Sequence, residues 1–193
     1  MSELMVGFCG AGSTGKTSVA KELAADPTIG EEFYPSIVRD TMTEFGVTEK
    51  TSLDLSAHDM KLLQYAIFEA KINQDKRGWG IYDRTPIDQL SYCVTRCYKE
   101  ITDQEYNRLL ITCLNGMKQY DLVVYFPPYS EIVYVDDGFR ATGLAWRDLQ
   151  AHTMLGYLNM MHIKALHMPM CTVEERVSII KSRMGAIRKS RRD

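Results

Sequence analysis

A stretch near the start of the chain, LMVGFCGAGSTGKTSVAKEL, constrains the fold more than any other. Met5 to Cys9 is a short apolar run that ends in glycines, the pattern of a buried strand, and Lys16 to Ala25 continues in helix-forming residues. Between them Gly10 to Thr17 read GAGSTGKT and fit G-x-x-x-x-G-K-[ST] without a mismatch. Gly10, Gly12 and Gly15 allow backbone angles that side chains forbid, so consecutive N–H groups, those of Ser13 and Thr14 included, can turn inward around a polyphosphate. The helix that opens near Lys16 adds the positive end of its dipole. Lys16 is then placed to reach the β and γ phosphates of ATP, and the Thr17 hydroxyl to take one position around Mg²⁺.

The rest of the composition narrows the class. At 193 residues and 22.1 kDa the chain suits a single domain over 1–193, and 45% hydrophobic with 25% charged residues is globular rather than disordered. A net charge of -2 and a pI near 6.1 give no global attraction to nucleic acid or to an anionic membrane. The end, KSRMGAIRKSRRD, is locally basic, either as a solvated helix end or as a contact for DNA or a partner. Five cysteines without a C-x-x-C pair point to reduced thiols and a cytoplasmic protein. No apolar run is long enough to span a bilayer, and no membrane association is expected.

The order of elements follows from local patterns. Tyr34 to Val38 can form a second strand with Arg39 and Asp40 just past its end. The stretch from Ser56 to Arg77 has apolar residues at three- and four-residue spacing and predicts a long helix. A strand around Ile81 and Tyr82 ends at Asp83, and Pro86 suits the first turn of another helix. A helix is expected over Gln104 to Lys118, a fully buried strand over Asp121 to Phe126, and a fifth strand within Ile163 to Met168. Thr172 and Glu175 have the reciprocal capping spacing that starts a last helix. Strands alternating with helices imply an α/β fold, a parallel sheet covered on both faces. Between Tyr129 and Trp146 no regularity is visible.

Two further segments suggest which phosphate-loop protein this is. A switch GTPase would need an N-K-x-D guanine reader, and no convincing one is present; a ring-forming AAA-type motor would need adjacent acids on a downstream strand and a helical lid domain, for which there is little room. YDRTPIDQLSY, with Asp83 and Arg84 after a short strand, resembles the Asp-Arg or Glu-Arg pair that ends the third strand of thymidylate kinases and deoxynucleoside kinases. VDDGFRATG, with Arg140 and then Arg147, resembles the arginine-bearing lid of small-molecule kinases, and its Asp-Asp-Gly-x-Arg form is similar to ribosylnicotinamide kinase and phage-encoded relatives. This resemblance to the P-loop nucleoside/nucleotide kinase family implies a P-loop NTPase three-layer α/β/α fold. It also implies a five-stranded parallel sheet in the kinase-type order 2-3-1-4-5 and a lid segment at about 129–147. Deoxynucleoside kinases usually place a glutamate near the end of the second strand, where this chain offers Arg39 and Asp40.

Phosphoryl transfer asks a protein mainly for positioning and for cations around the transferred oxygens. Lys16, Mg²⁺, Arg140 and Arg147 could supply these. Asp83 is suited to hold Mg²⁺ through water or to orient the acceptor, or else only caps the helix near Pro86. Arg84 either meets phosphate or braces an acid. Asp40 is the candidate base for an acceptor hydroxyl, or an N-cap. Tyr65 and Phe68 could stack on an acceptor base but have the spacing of core residues. The resulting expectation is an ATP- and Mg²⁺-dependent kinase of a nucleoside, nucleotide or related small molecule. The alternatives are a phage-type kinase of hydroxymethylated bases such as 5-hydroxymethyluracil in DNA, and a nucleotide-binding regulatory ATPase without a phosphoacceptor. A homodimer is compatible with each.

Overall fold

The computed structural model describes residues 3–48, 51–129 and 143–192. The described strands, β1 (Met5–Cys9), β2 (Phe33–Tyr34), β3 (Gly80–Asp83), β4 (Leu122–Tyr125) and β5 (Ala165–His167), form one parallel sheet in the order β2-β3-β1-β4-β5. The helices are α1 (Lys16–Ala25), α2 (Val38–Glu44), α3 (Ala57–Asp75), α4 (Pro86–Cys97), α5 (Asp103–Met117), α6 (Leu144–Met160) and α7 (Val173–Ser190). This is the α/β fold and strand order that the resemblance implied.

Every residue of β1, β3 and β4 is buried, which is why these strands read as continuous apolar runs rather than alternating ones. Alternation along β1 divides the core. Leu4, Val6 and Phe8 pack with Val19 and Leu23 of α1 and Ile180 and Met184 of α7. On the opposite face Cys9, Val123 and Tyr125 pack with side chains of α3, α4, α5 and α6, among them Phe68, Leu90, Cys113 and Met154. Phe68, one of the two candidate stacking aromatics, therefore belongs to the core, and Tyr65 packs against the same cluster. No helix among the described residues is long and apolar enough to cross a membrane.

Two segments depart from the sequence reading. The second strand ends at Tyr34, and Val38 already begins α2, so Arg39 and Asp40 are helical rather than beyond a strand end. Pro35 has no N–H to continue the ladder and the chain turns there. Helix α6 occupies ground where no such element was anticipated. Its buried positions Arg147, Gln150, Ala151, Met154, Tyr157 and Leu158 have helical spacing, but the first two are polar, while Leu144, Leu149 and Met160 lie exposed. The apolar period is blurred as a result. Gln150 is accommodated in the core because it accepts from Ser91 Oγ at 2.9 Å and donates to Thr95 Oγ1 at 2.6 Å.

Part of the basic end is bound into the fold. Arg188 pairs with Glu31, whose carboxylate also accepts the Leu4 N–H, and Arg191 pairs with Asp121, whose other oxygen accepts the Met5 N–H at 2.9 Å. Lys181 pairs with Asp26 on the adjacent helix end. Beneath the opposite face lies a buried ion pair, Lys71 with Asp75 at 2.6 Å, each 1% exposed. The Lys71 ammonium sits 4.3 Å from the centre of the Tyr82 ring, and Tyr120 donates to Asp75 at 2.8 Å. Burial pushes Lys71 down and Asp75 up, each opposed by the other's charge.

Lys71→Met should therefore cost about 3–5 kcal/mol of unfolding free energy in urea, because it strands Asp75 in the core. The double variant Lys71→Met/Asp75→Leu should recover most of that loss. An equal loss in both would show that the stabilisation does not come from the charge pairing.

Candidate functional site

The phosphate loop is shaped by its two ends. Gly10 has φ +139°, and a Cβ there would stand 2.4 Å from the Phe126 carbonyl oxygen, so only glycine fits. Gly15, at φ +85°, is the residue from which α1 departs. Gly12 differs from the expectation: its φ is not left-handed, a Cβ would meet nothing, and Ser13, at φ +57°, makes the left-handed turn instead. Inside the loop Lys16 Nζ donates to the Ala11 carbonyl at 2.5 Å and to Thr14 Oγ1 at 3.1 Å, while Thr14 Oγ1 donates to that same carbonyl at 3.0 Å. Lys16 is only 5% exposed, and burial, aided by the nearby Arg84, lowers its pKa to about 8 against the pull of Asp88 and Asp83.

Asp83 ends β3 beside Phe8 of β1, which brings its carboxylate to the start of α1. There Thr17 Oγ1 donates to Asp83 Oδ2 at 2.6 Å. The two residues read from sequence as metal ligands are thus in direct contact. Arg84 follows in a strained left-handed conformation, φ +107°, with Nη1 3.5 Å from Asp88 and its guanidinium 5.4 Å from the centre of the Tyr92 ring.

Asp88 itself was not singled out in the sequence. It is fully buried, accepts the Thr85 N–H at 2.9 Å and hydroxyl at 3.0 Å, and accepts the Gly10 N–H at 3.2 Å through its other oxygen. Burial pushes its carboxyl up, opposed first by Arg84 and then by Lys16. The signal was present in the T-x-x-D spacing of Thr85 and Asp88 around Pro86, a capping box whose acid has one oxygen to spare for the loop. Arg176 was missed as well: from α7 it donates Nη1 to the Thr14 carbonyl at 3.2 Å.

A cleft of about 680 Å³ opens from the loop, lined on its far side by Val38, Arg39, Met42 and Thr43 of α2 and by Arg84. Asp40, the candidate base, is exposed and absent from this lining, because on a helix the residues flanking the cleft recur at three and four positions and Asp40 falls between them. A small recess continues from the cleft past Val38, Met42 and Arg84 to Gln64, Gln89 and Arg96. Gln89 is 2% exposed, and its Nε2 has no hydrogen-bond partner among the described residues. Arg147 is buried on α6, 3.8 Å from Asp148, and lines neither the cleft nor the recess. Arg140 and most of the lid-like segment lie outside the described residues.

Residues 5–176 match a family model described as an AAA domain. No curated protein matches the sequence. Among solved structures, a deoxyadenosine kinase from M. mycoides with dCMP and dCDP bound aligns at a TM-score of 0.67 and 15% identity, covering 95% of this chain and 100% of that one. A NadR protein in complex with NR aligns at 0.61 and 18% identity, over 86% of this chain and 45% of that one. A shikimate kinase from Acinetobacter baumannii in complex with shikimate aligns at 0.60 and 14% identity, over 96% and 94%. The family model spans the loop, the whole sheet and the start of α7, and the chain belongs to this P-loop family with the fold of the nucleoside and nucleotide kinases.

Proposed function

We propose that the protein is an ATP- and Mg²⁺-dependent kinase that transfers the γ-phosphoryl group to a nucleoside, nucleotide or related small molecule. The observation that carries this reading is the contact of Thr17 with Asp83 at 2.6 Å beside a buried Lys16, at the mouth of a cleft larger than a triphosphate requires. A hydroxyl and a carboxylate in contact at the end of the loop are hard oxygen donors, which fits a divalent cation completed by phosphate oxygens and water. When bound, Mg²⁺ would neutralise charge on the polyphosphate. The chain's own part is positional. Backbone N–H groups of the loop hold the phosphates, and Lys16 exchanges the Ala11 carbonyl for phosphate oxygens. Arg84 offers a further cation toward the acceptor side of the cleft.

The recess holds only about 30 Å³, room for a water-sized group, so it would present polar side chains to one edge of an acceptor that lies in the larger cleft. Its buried amides are underused among the described residues: Gln89 Nε2 has no partner there, and Gln64 Nε2 donates to the Met60 sulfur at 3.6 Å. The hydrogen-bonding edge of a nucleobase or a nicotinamide lying in the cleft would suit them, in keeping with the deoxyadenosine kinase and the NR-bound NadR among the structural neighbours. Asp40 receives no role in this reading, because it stands outside the cleft.

The test is transfer of label from γ-labelled ATP with Mg²⁺ to nucleosides, nucleoside monophosphates, nicotinamide riboside, and DNA with and without hydroxymethylated pyrimidines. Label is expected on a free small molecule and should disappear in Lys16→Ala with the fold intact. Undiminished transfer in that variant would sink the assignment. Label on DNA alone would move the acceptor into a polymer, and ATP binding without any transfer would make the protein a regulator.

Lys16 also predicts a pH dependence. Its ammonium is half deprotonated near pH 8 in the free protein, and phosphate oxygens around it favour the charged form, so ATP binding should take up a proton above that pH. Affinity should be flat below about pH 7 and fall by up to about tenfold per pH unit above 8. Calorimetry in buffers of different ionisation enthalpy would register the uptake, which should vanish in Lys16→Met.

A further inference from the structure

Arg176 stands where a cation is electrostatically disfavoured. It lies one residue past the first turn of α7, near the positive end of the helix, and is 3% exposed. Its guanidinium has no carboxylate partner among the described residues. Nη1 donates to the Thr14 carbonyl at 3.2 Å, Nη2 meets the Met170 sulfur at 3.5 Å, the group lies 5.3 Å from the centre of the Tyr129 ring, and buried Nε has no acceptor among the described residues. A charge buried on such terms contributes little to stability. What it does reach is the backbone of the phosphate loop at Thr14, next to Gly15, where an added Cβ would come within 3.1 Å of Nη1.

The consequence lies in the geometry of one peptide group. The bond between Thr14 and Gly15 is trans, so its C=O and N–H point in opposite directions. Arg176 draws the Thr14 carbonyl to the α7 side and thereby turns the Gly15 N–H away from α7. Without that hold the peptide is free to rotate, because glycine on one side imposes little resistance.

We propose that Arg176 is a positioning residue for triphosphate binding. It fixes the orientation of the Thr14–Gly15 peptide, so that the Gly15 N–H is presented to phosphate before the ligand arrives. The proposal rests on reading the loop as a triphosphate site, and it adds α7 to the parts on which that site depends.

Calorimetric titration of the full chain with ATP and with inorganic tripolyphosphate, both with Mg²⁺, tests it. Arg176→Met should weaken both ligands by about tenfold, the factor for one hydrogen-bond donor turned away from a charged group. Arg176→Lys, which can still donate to the carbonyl, should recover part of the loss. Lys181→Met, which breaks the pair with Asp26 on the same helix, should lower thermal stability and leave both affinities unchanged. Once an acceptor is known, its KM should not move in the Arg176 variants. Equal affinity in Arg176→Met and the wild type would overturn the proposal alone. A loss as large in Lys181→Met would overturn it too, by making the effect one of general stability. Failure of the wild type to bind either ligand would overturn the triphosphate reading beneath it.

Discussion

One buried carboxylate joins the two strand ends from which the site is made. Asp88 closes the first turn of α4 through Thr85 and at the same time accepts the Gly10 N–H where β1 becomes the phosphate loop. A carboxylate is well placed there, because the helix N-terminus favours negative charge and its oxygens are taken up by backbone and hydroxyl donors. The position of α4 relative to β1 is thereby tied to the angle at which the loop leaves the sheet. Asp83 and Arg84, which precede that helix, are carried into register with Lys16 and Thr17. The left-handed backbone of Arg84 belongs to the same arrangement, since the chain must turn sharply between the end of β3 and the cap at Thr85.

Around this anchor the charges alternate within a small volume. Lys16 is depressed by burial and by Arg84, Asp88 is raised by burial and restrained by Arg84 and Lys16, and Asp83 is held by the Thr17 hydroxyl. The loop is consequently compact before any ligand enters, with Lys16 folded onto the Ala11 carbonyl. On the proposed reading, phosphate would replace contacts that the loop makes with itself. That is a form of preorganisation, in which ordering of the lysine is completed during folding rather than at binding.

How much of this could be read from residues depended on whether the deciding interaction was local. The passage from β1 through the loop to α1, the long α3, the strand that ends at Asp83 and the cap at Thr172 all depend on near neighbours, and their patterns were legible. Helix α6 was hidden because two of its buried positions, Arg147 and Gln150, are polar, and Gln150 finds its partners on α4, which no periodicity reveals. The end of β2 was misplaced because β-branched Ile37 and Val38 favour a strand while Pro35 and the packing of α2 on α3 decide otherwise. Gly12 looked indispensable from its place in the motif, yet the turn it was expected to make belongs to Ser13. Asp88 and Arg176 carry no motif of their own beyond a capping box, since each acts on a backbone group distant in sequence.

The basic C-terminal helix shows the same dependence on distance. As a sequence it read either as a solvated helix end or as a contact for DNA or a partner; in the fold Arg188 and Arg191 are directed at Glu31 and Asp121, the two carboxylates that receive the N–H groups of Leu4 and Met5 where β1 begins. Arg176, more than three turns toward the N-terminus of the helix, is directed at the loop where β1 has ended. One helix therefore grips the central strand before its start and beyond its finish. Met184 and Ile180 seal the interval between these grips against Val6 and Phe8, so a shift of α7 along its axis would disturb both polar contacts and the core between them. The register of α7 is in this way coupled to the geometry of the phosphate loop, although the two are far apart in sequence.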